Sequence, residues 1–349
     1  MHKIRFIVFK IEKLLIPTCM CLFTVFLLIF SNNNLSSAKT GLSLWANSVV
    51  PSLLPFFIAT ELLSYTNIIS FLGKSLTKFM KPFFNVPGEG AFPFIMGIIS
   101  GYPMGAKIVS NFKEQGICTK EECERLLAFT NNSGPLFIIG TIGVGLFRDT
   151  KTGILLFITH ILACITVGFL FRWWKTNKRK NKLSLDNSVS SSNTISISNL
   201  GEVLASSIMN AINTIFLIGG FIVLFSVIIS ILKSSGFIKG LASTLSPLLN
   251  MLDISGKFSE GFISGLIELT NGVCIISAIP NKFLSTNVII CAFLLGFGGI
   301  SIILQILSIT SKAKISIRPY IIGKLLQAIF AALYTYIIIH NVSFFNLNL

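Results

Sequence analysis

The residues best suited to bind a solute lie in a break inside an apolar stretch. Ser100-Gly101-Tyr102-Pro103 interrupts a segment that begins near Gly90, and Lys107 follows it closely. Glycine and proline disrupt the helical hydrogen-bond ladder, and broken backbone at membrane depth survives only where protein or a water-filled cavity covers it. The break therefore predicts a solute position. Lys107 could neutralise an anionic solute there, or it could instead reach lipid headgroups or begin a cytosolic loop.

A second break of similar chemistry follows much later in the chain. Glu268-Leu269-Thr270-Asn271-Gly272 interrupts another apolar segment, and we expect it to be the partner of the first break. Glu268 and Glu61 are acids within apolar spans, and ionisable groups inside a membrane are functional candidates by default. Either acid could couple protons or receive a lysine or backbone contact, and the alternative is a paired structural acid.

Two further polar or glycine-rich clusters border apolar helices. Asn131, Asn132 and Ser133 precede an apolar run, where a helix N-terminus offers free N–H groups and a positive dipole end to a carboxylate or phosphate. Alternatively, the three residues only cap that helix. Gly298 and Gly299 permit close helix approach, and a backbone contact with solute is the second interpretation.

Composition places the chain among polytopic α-helical membrane proteins. Of its 349 residues, 52% are hydrophobic and 12% are charged, more apolar surface than a soluble domain could bury. The net charge of +15 comes from Lys and Arg that flank apolar spans, which is a topology signal and not a nucleic-acid surface. Seven scattered cysteines and three distant histidines give neither a disulfide framework nor a metal site, and no cofactor or enzyme motif occurs.

Four regions follow from the distribution of apolar and basic residues. Residues 1–35 predict an uncleaved transmembrane helix with a cytosolic N-terminus, because basic residues precede its apolar run. Residues 36–174 and 199–349 form two membrane repeats. Residues 175–198 form a basic, Ser/Asn-rich linker, which the positive-inside rule places in the cytosol.

The two repeats share anchors in the same order. Phe94–Ile99 parallels Phe262–Ile267, and Pro82–Asn85 parallels Pro247–Asn250. Four spans before the linker would return the chain to the cytosol, so the second half must start with the opposite orientation. We therefore expect an all-α fold with an inverted-topology repeat, two broken or re-entrant segments and about seven full spans. In secondary transporters such repeats hold the substrate near the bilayer midplane, between broken helices.

Two long motifs carry a family resemblance. The runs from Ser100 to Lys107 and from Glu124 to Thr141, with Gly296-Phe297-Gly298-Gly299, resemble the sporulation integral membrane protein family YlbJ, also called SpoVV. That resemblance implies two gate-type, "nucleoside recognition" repeats like parts of concentrative nucleoside transporters. It further implies a location in the outer forespore membrane of a sporulating bacterium, with the N-terminus on the mother-cell cytosol side, and movement of dipicolinic acid toward the forespore.

The residues and the resemblance together predict a transporter for a small organic anion, with dipicolinate as the first candidate. The expected partners are this solute, the lipid bilayer, and either a coupling proton or sodium ion or a second copy of the chain. Two alternatives remain open at this point. One is a gate-domain scaffold of the spore envelope that moves nothing, and the other is a carrier for a neutral, nucleoside-type solute.

Overall fold

A computed structural model describes residues 2–176, 197–251, 253–280 and 284–342, with side chains from residue 14 onward. The described residues form helices and no strand, which confirms the all-α class. The α-helices are α1 (His2–Ile29), α2 (Ser31–Leu44), α3 (Val50–Ser64), α4 (Ile68–Phe84), α5 (Ala91–Ile99), α6 (Met104–Glu114), α7 (Lys120–Thr130), α8 (Thr150–Phe171), α9 (Leu200–Ser234), α10 (Phe237–Met251), α11 (Ser259–Ile267), α12 (Leu269–Ser277), α13 (Leu284–Phe297), α14 (Ile300–Thr310) and α15 (Arg318–Asn341).

Five helical stretches of the described chain are long and apolar enough to cross a bilayer, and shorter apolar helices accompany them. This finding confirms the polytopic membrane class. The five stretches are Ser31–Ser64, Thr150–Phe171, Leu200–Ser234, Leu284–Thr310 and Arg318–Asn341. Wide π-helical turns join α2 to α3 (Trp45–Val49) and follow α7 (Leu136–Leu146).

The same order of elements occurs before and after the linker region. A long helix, an amphipathic helix, a hairpin of two short helices, an interrupted helix and a second long helix follow one another in each half. The hairpins are α5–α6 and α11–α12, and the interrupted helices are α7 with its π-helical extension and α13–α14. This order supports the predicted repeat, whereas the inverted orientation of its halves stays a prediction. Most of the predicted linker, 177–196, lies outside the described residues.

Paired glycines bring the two arms of each hairpin together. A Cβ built on Gly97 would lie 3.4 Å from the Cα of Gly105, and one built on Gly265 would lie 3.2 Å from the Cα of Gly272. Only small residues allow two helix backbones to approach so closely. The two hairpins therefore use glycine pairs at matching positions.

Helix α7 runs through the core and packs against the first hairpin, α8 and α15. Its start is a capping box, in which the Thr119 hydroxyl accepts from Glu122 N at 3.2 Å and the Glu122 carboxylate accepts from Thr119 N at 2.8 Å. Behind this cap, the buried Glu124 carboxylate accepts hydrogen bonds from Trp174 Nε1 at 2.9 Å and from Lys175 Nζ at 2.8 Å. Both contacts join the start of α7 to the residues that follow α8. Because α7 is held at its start, the position of its other end in the core is fixed as well.

Candidate solute site

One cavity of about 490 Å³ lies where the hairpins, the interrupted helices and two long helices meet. Its volume falls within the range of small-molecule sites, roughly 300 to 1,000 Å³. Its lining is Ser37, Thr40, Gly41, Leu44, Ser48, Val49, Ser52, Leu53, Phe56, Ile99, Gly101, Tyr102, Gly134, Leu136, Phe137, Thr141, Ile218, Phe221, Ile222, Ser226, Ile229, Ser230, Lys233, Glu268, Thr270, Asn271, Cys274, Ser301, Ile302 and Gln305.

Hydroxyl groups from the two long helices supply polar positions in a mostly apolar cavity wall. On α9, Ile222, Ser226 and Ser230 repeat every four residues and so lie on one helical face. The stretch α2–α3 presents Ser48 and Ser52 in the same manner. The pattern gives the wall many short groups that can both donate and accept hydrogen bonds.

The first hairpin reaches the cavity through its predicted break. Gly101 has a left-handed φ of +76°, and a Cβ at this position would lie 3.0 Å from the backbone N of Gly134. Tyr102 borders the cavity, whereas Ser100 and Pro103 lie behind it. The Ser100 hydroxyl lies 3.1 Å from the Thr60 hydroxyl, which connects the break to α3.

The second hairpin reaches the same cavity through Glu268, Thr270 and Asn271. Glu268 is the N-cap of α12: its carboxylate accepts from Thr270 N at 3.0 Å, from Asn271 N at 2.8 Å and from Asn271 Nδ2 at 2.9 Å. A carboxylate at a helix N-terminus is stabilised by the free N–H groups and the helix dipole. This end of α12 is therefore already occupied by the protein's own anion.

The break of each interrupted helix contacts the break of the hairpin in its own half. Gly134 meets Gly101, and a Cβ at Gly299 would lie 3.2 Å from both Gly265 O and Leu269 N. Gly298 and Gly299 have φ values of +83° and +89°, which glycine adopts without strain. Gly299 thus serves close packing at the second break, and Gly298 serves its left-handed turn. Ser301 beyond them borders the cavity.

Lys107 lies outside the lining of this cavity. Its ammonium lies 2.6 Å from a carboxylate oxygen of Glu61 and donates to Thr214 Oγ1 at 2.8 Å and to Asn210 O at 3.2 Å. Two long helices, α3 and α9, therefore hold this lysine. The two acids that the sequence singled out have different environments, since Glu61 pairs with a lysine and Glu268 caps a helix.

Asn131, Asn132 and Ser133 are buried and lie outside the cavity lining, in a polar cluster with residues of α8 and α15. Asn131 Nδ2 donates to the Tyr320 hydroxyl at 3.2 Å, and Ser133 N donates to His160 Nε2 at 3.3 Å. Asn132 bonds to Phe129 O and accepts from Gln327 Nε2. The next residue, Gly134, borders the cavity, so one break separates the solute space from this cluster.

Several residues of the site were missed by the sequence argument. Lys324 and Gln327 of α15 complete the buried cluster, and Lys233 and Gln305 line the cavity. A lysine inside the last apolar span is a visible signal, because such groups are rare within membranes. The helix faces that meet the breaks depend on tertiary packing, and no sequence pattern identifies them. In the described part of the chain, no three His, Cys, Asp or Glu side chains could hold a metal ion together.

Comparison with known proteins assigns the family. The nucleoside recognition Gate family matches residues 46–172 and 215–313, more than half of the chain. The chain is 36% identical to the sporulation integral membrane protein YlbJ of Bacillus subtilis (strain 168) over 343 residues, covering 93% of this chain and 82% of that protein. The solved structure of CNTnw in an inward-facing substrate-bound state is similar at 14% identity and a TM-score of 0.46, covering 91% of this chain and 86% of that one. The chain therefore belongs to the sporulation integral membrane protein YlbJ family and carries the nucleoside recognition Gate domain.

Proposed function

We propose that this protein is a membrane transporter for a small organic anion, and that it carries dipicolinic acid across the outer forespore membrane of a sporulating bacterium. The observation that carries the proposal is the meeting of both hairpin breaks at one cavity, where Gly101 and Tyr102 face Thr270 and Asn271. Broken helices that border a common cavity are the usual substrate position in transporters built from repeats.

The lining of the cavity suits a small planar dianion. Hydroxyl groups and the amides of Asn271 and Gln305 can donate to carboxylate oxygens, and the ammonium of Lys233 supplies one positive charge. Tyr102 and Phe137 offer aromatic faces on which a pyridine ring can stack. Glu268 is compatible with an anionic solute because backbone and amide N–H groups already engage its carboxylate.

A nucleoside-type solute is the second candidate, and the hydroxyl groups of the cavity wall favour it. Ser226, Ser230 and Ser52 could bond a neutral sugar, and Glu268 could accept a hydrogen bond from a ribose or base. The third candidate is a gate-domain scaffold that transports no solute. Such a scaffold would need neither a polar cavity nor a break in each hairpin.

Counterflow in proteoliposomes tests the proposal directly. Vesicles loaded with unlabelled dipicolinate should take up labelled dipicolinate, and excess external uridine should leave this uptake unchanged. Thr270→Ala should reduce uptake severalfold because a lining hydroxyl is lost, whereas the exposed Thr244→Ala on α10 should retain it. Uridine uptake in place of dipicolinate would establish the second candidate, and the absence of any counterflow would leave the scaffold.

A further inference from the structure

A lysine lies inside the helical core without an acidic partner. Lys324 of α15 is 2% exposed, and its ammonium donates to Gln327 Oε1 at 2.9 Å and lies 5.9 Å from the centre of the Tyr320 ring. Among the described residues, ion pairs shorter than 4.0 Å involve Lys107 and Lys175 but not Lys324. An unpaired charge in such surroundings is costly, and lysines of this kind mark proton or ion pathways in membranes.

Two hydrogen bonds connect this lysine to the break of the first interrupted helix. Gln327 accepts from Lys324 through Oε1 and donates through Nε2 to Asn132 Oδ1 at 2.9 Å. Gln327 Nε2 also lies 3.4 Å from His160 Nε2, which accepts from Ser133 N at 3.3 Å. The amide of Gln327 therefore joins the ammonium to the backbone of the break.

The opposite side of that break borders the solute cavity. Gly134 follows Ser133 directly, lines the cavity and packs against Gly101 of the first hairpin. A change in the hydrogen bonds of Asn132 and Ser133 is therefore transmitted to the cavity wall within one or two residues. The charge of Lys324 and a solute in the cavity thus both act on the break that follows α7.

We propose that Lys324 is the coupling-proton site of this transporter, binding and releasing one proton in each transport cycle. The inference rests on the proposed function and identifies its coupling ion. A charged ammonium can only donate, so it fixes the Gln327 carbonyl toward itself and the Gln327 NH₂ toward Asn132. A neutral amine can accept a hydrogen bond, so loss of the proton allows the Gln327 amide to turn and breaks its bond to Asn132.

The other titratable groups around Lys324 are held by hydrogen bonds or lie far from it, so Lys324 is the residue that exchanges a proton. From α8, His160 and Cys164 face the cluster, and His160 Nε2 is held as an acceptor by Ser133 N–H. On the same helix as Lys324, the Tyr320 hydroxyl accepts a hydrogen bond from the side-chain amide of Asn131 in the break. The titratable residue of α13 is Cys291. The charged residues of α7 lie between Lys120 and Arg125, at the far end of that helix, where Glu124 and Arg125 bond to Trp174 and Lys175.

Flux measurements with imposed gradients test this inference. With dipicolinate as solute and the membrane potential clamped at zero, one coupled proton should give about tenfold accumulation per unit of pH gradient in the wild type. Lys324→Gln should lose this accumulation but keep counterflow, which needs no ion gradient. The exposed Lys312→Gln, which precedes α15, is the matched control and should accumulate solute like the wild type.

The wild type alone provides a second measurement, which does not depend on the folding of a variant. A pH-sensitive dye trapped in the vesicles should report proton movement whenever solute moves. Solute movement without proton movement, accumulation that follows a sodium gradient, or full accumulation by Lys324→Gln would each overturn the inference while the transport function stands. A wild type without counterflow would overturn the proposed function and this inference together.

Discussion

The ammonium of Lys107 and a carboxylate oxygen of Glu61 lie 2.6 Å apart and join the first hairpin to helix α3. Both side chains are largely buried, at 19% and 10% exposure, and Lys107 also reaches two oxygens on α9. A single ion pair therefore links an element of the cavity break to two of the long helices. The sequence predicts solute or headgroups as neighbours of Lys107, and for Glu61 it allows proton coupling, a lysine or backbone contact, or a paired structural role.

Lys107→Met should destabilise the protein by about 3 kcal/mol, because the carboxylate of Glu61 would remain buried without its partner. Thermal unfolding in detergent measures the loss. The double variant Glu61→Gln/Lys107→Met should recover more than half of it, since neither charge then needs compensation. A double variant whose loss equals the sum of the single losses would show that the two residues do not interact.

Gly101→Ala should impair both folding and counterflow, whereas Gly236→Ala should be mild. The two glycines share a φ of +76°, so each alanine carries a similar backbone strain of about 1 kcal/mol. Only at Gly101 would the new methyl also press on the backbone of Gly134, because nothing lies within 4 Å of Gly236. Equal effects of the two variants on melting temperature and flux would contradict a role for the contact between the breaks.

Asp149, the N-cap of α8, should make stability depend on pH in the acid range. Partial burial disfavours its charge, but hydrogen bonds from Thr152 and Lys151 outweigh this and hold the pKa of Asp149 below its usual range. Its contribution is complete above the ordinary aspartate pKa of about 3.9 and is lost as the pH falls through the lowered value. Asp149→Ala should cost about 1 kcal/mol at neutral pH, as loss of an N-cap does.

The control for this prediction is Asp149→Asn, which keeps a capping oxygen without a charge. Melting temperatures of the wild type and of this variant should converge as the pH falls below the lowered pKa of Asp149, where the aspartate becomes protonated. A constant difference between the two across the acid range would assign the effect to another group.

Cys274 should report solute in the cavity. This cysteine lines the cavity and is exposed, whereas Cys118, Cys123, Cys164 and Cys291 are buried. In a variant that keeps Cys274 and replaces Cys19 and Cys21 with alanine, a small charged thiol reagent should label Cys274, and saturating dipicolinate should slow the labelling several-fold. Labelling that dipicolinate does not affect, with uptake intact, would place the solute elsewhere.

The breaks themselves could be predicted because their chemistry is local. Glycine and proline in an apolar run, at Ser100–Pro103, disrupt a helix wherever it lies, and the structure contains both predicted breaks. The capping residues before α7 are a similar case, since Thr119 and Glu122 satisfy backbone groups within one turn. The apolar composition likewise determined the helical membrane class, because only helices or closed barrels satisfy their backbone in lipid.

Tertiary structure alone decided which polar groups meet. Asn132 could contact solute or cap a helix on sequence grounds, and it instead bonds to Gln327, which lies 195 residues away. Lys107 of α6 likewise pairs with Glu61 of α3, because the tertiary structure brings α3 and α9 within reach of its ammonium. Sequence spacing determines the face of a helix on which a side chain lies, but its partner depends on how that helix packs. The sequence by itself determined the class, the breaks and the family. The packing decided that Gly134 borders the cavity and that Asn132 bonds to Gln327, the partner of the buried Lys324.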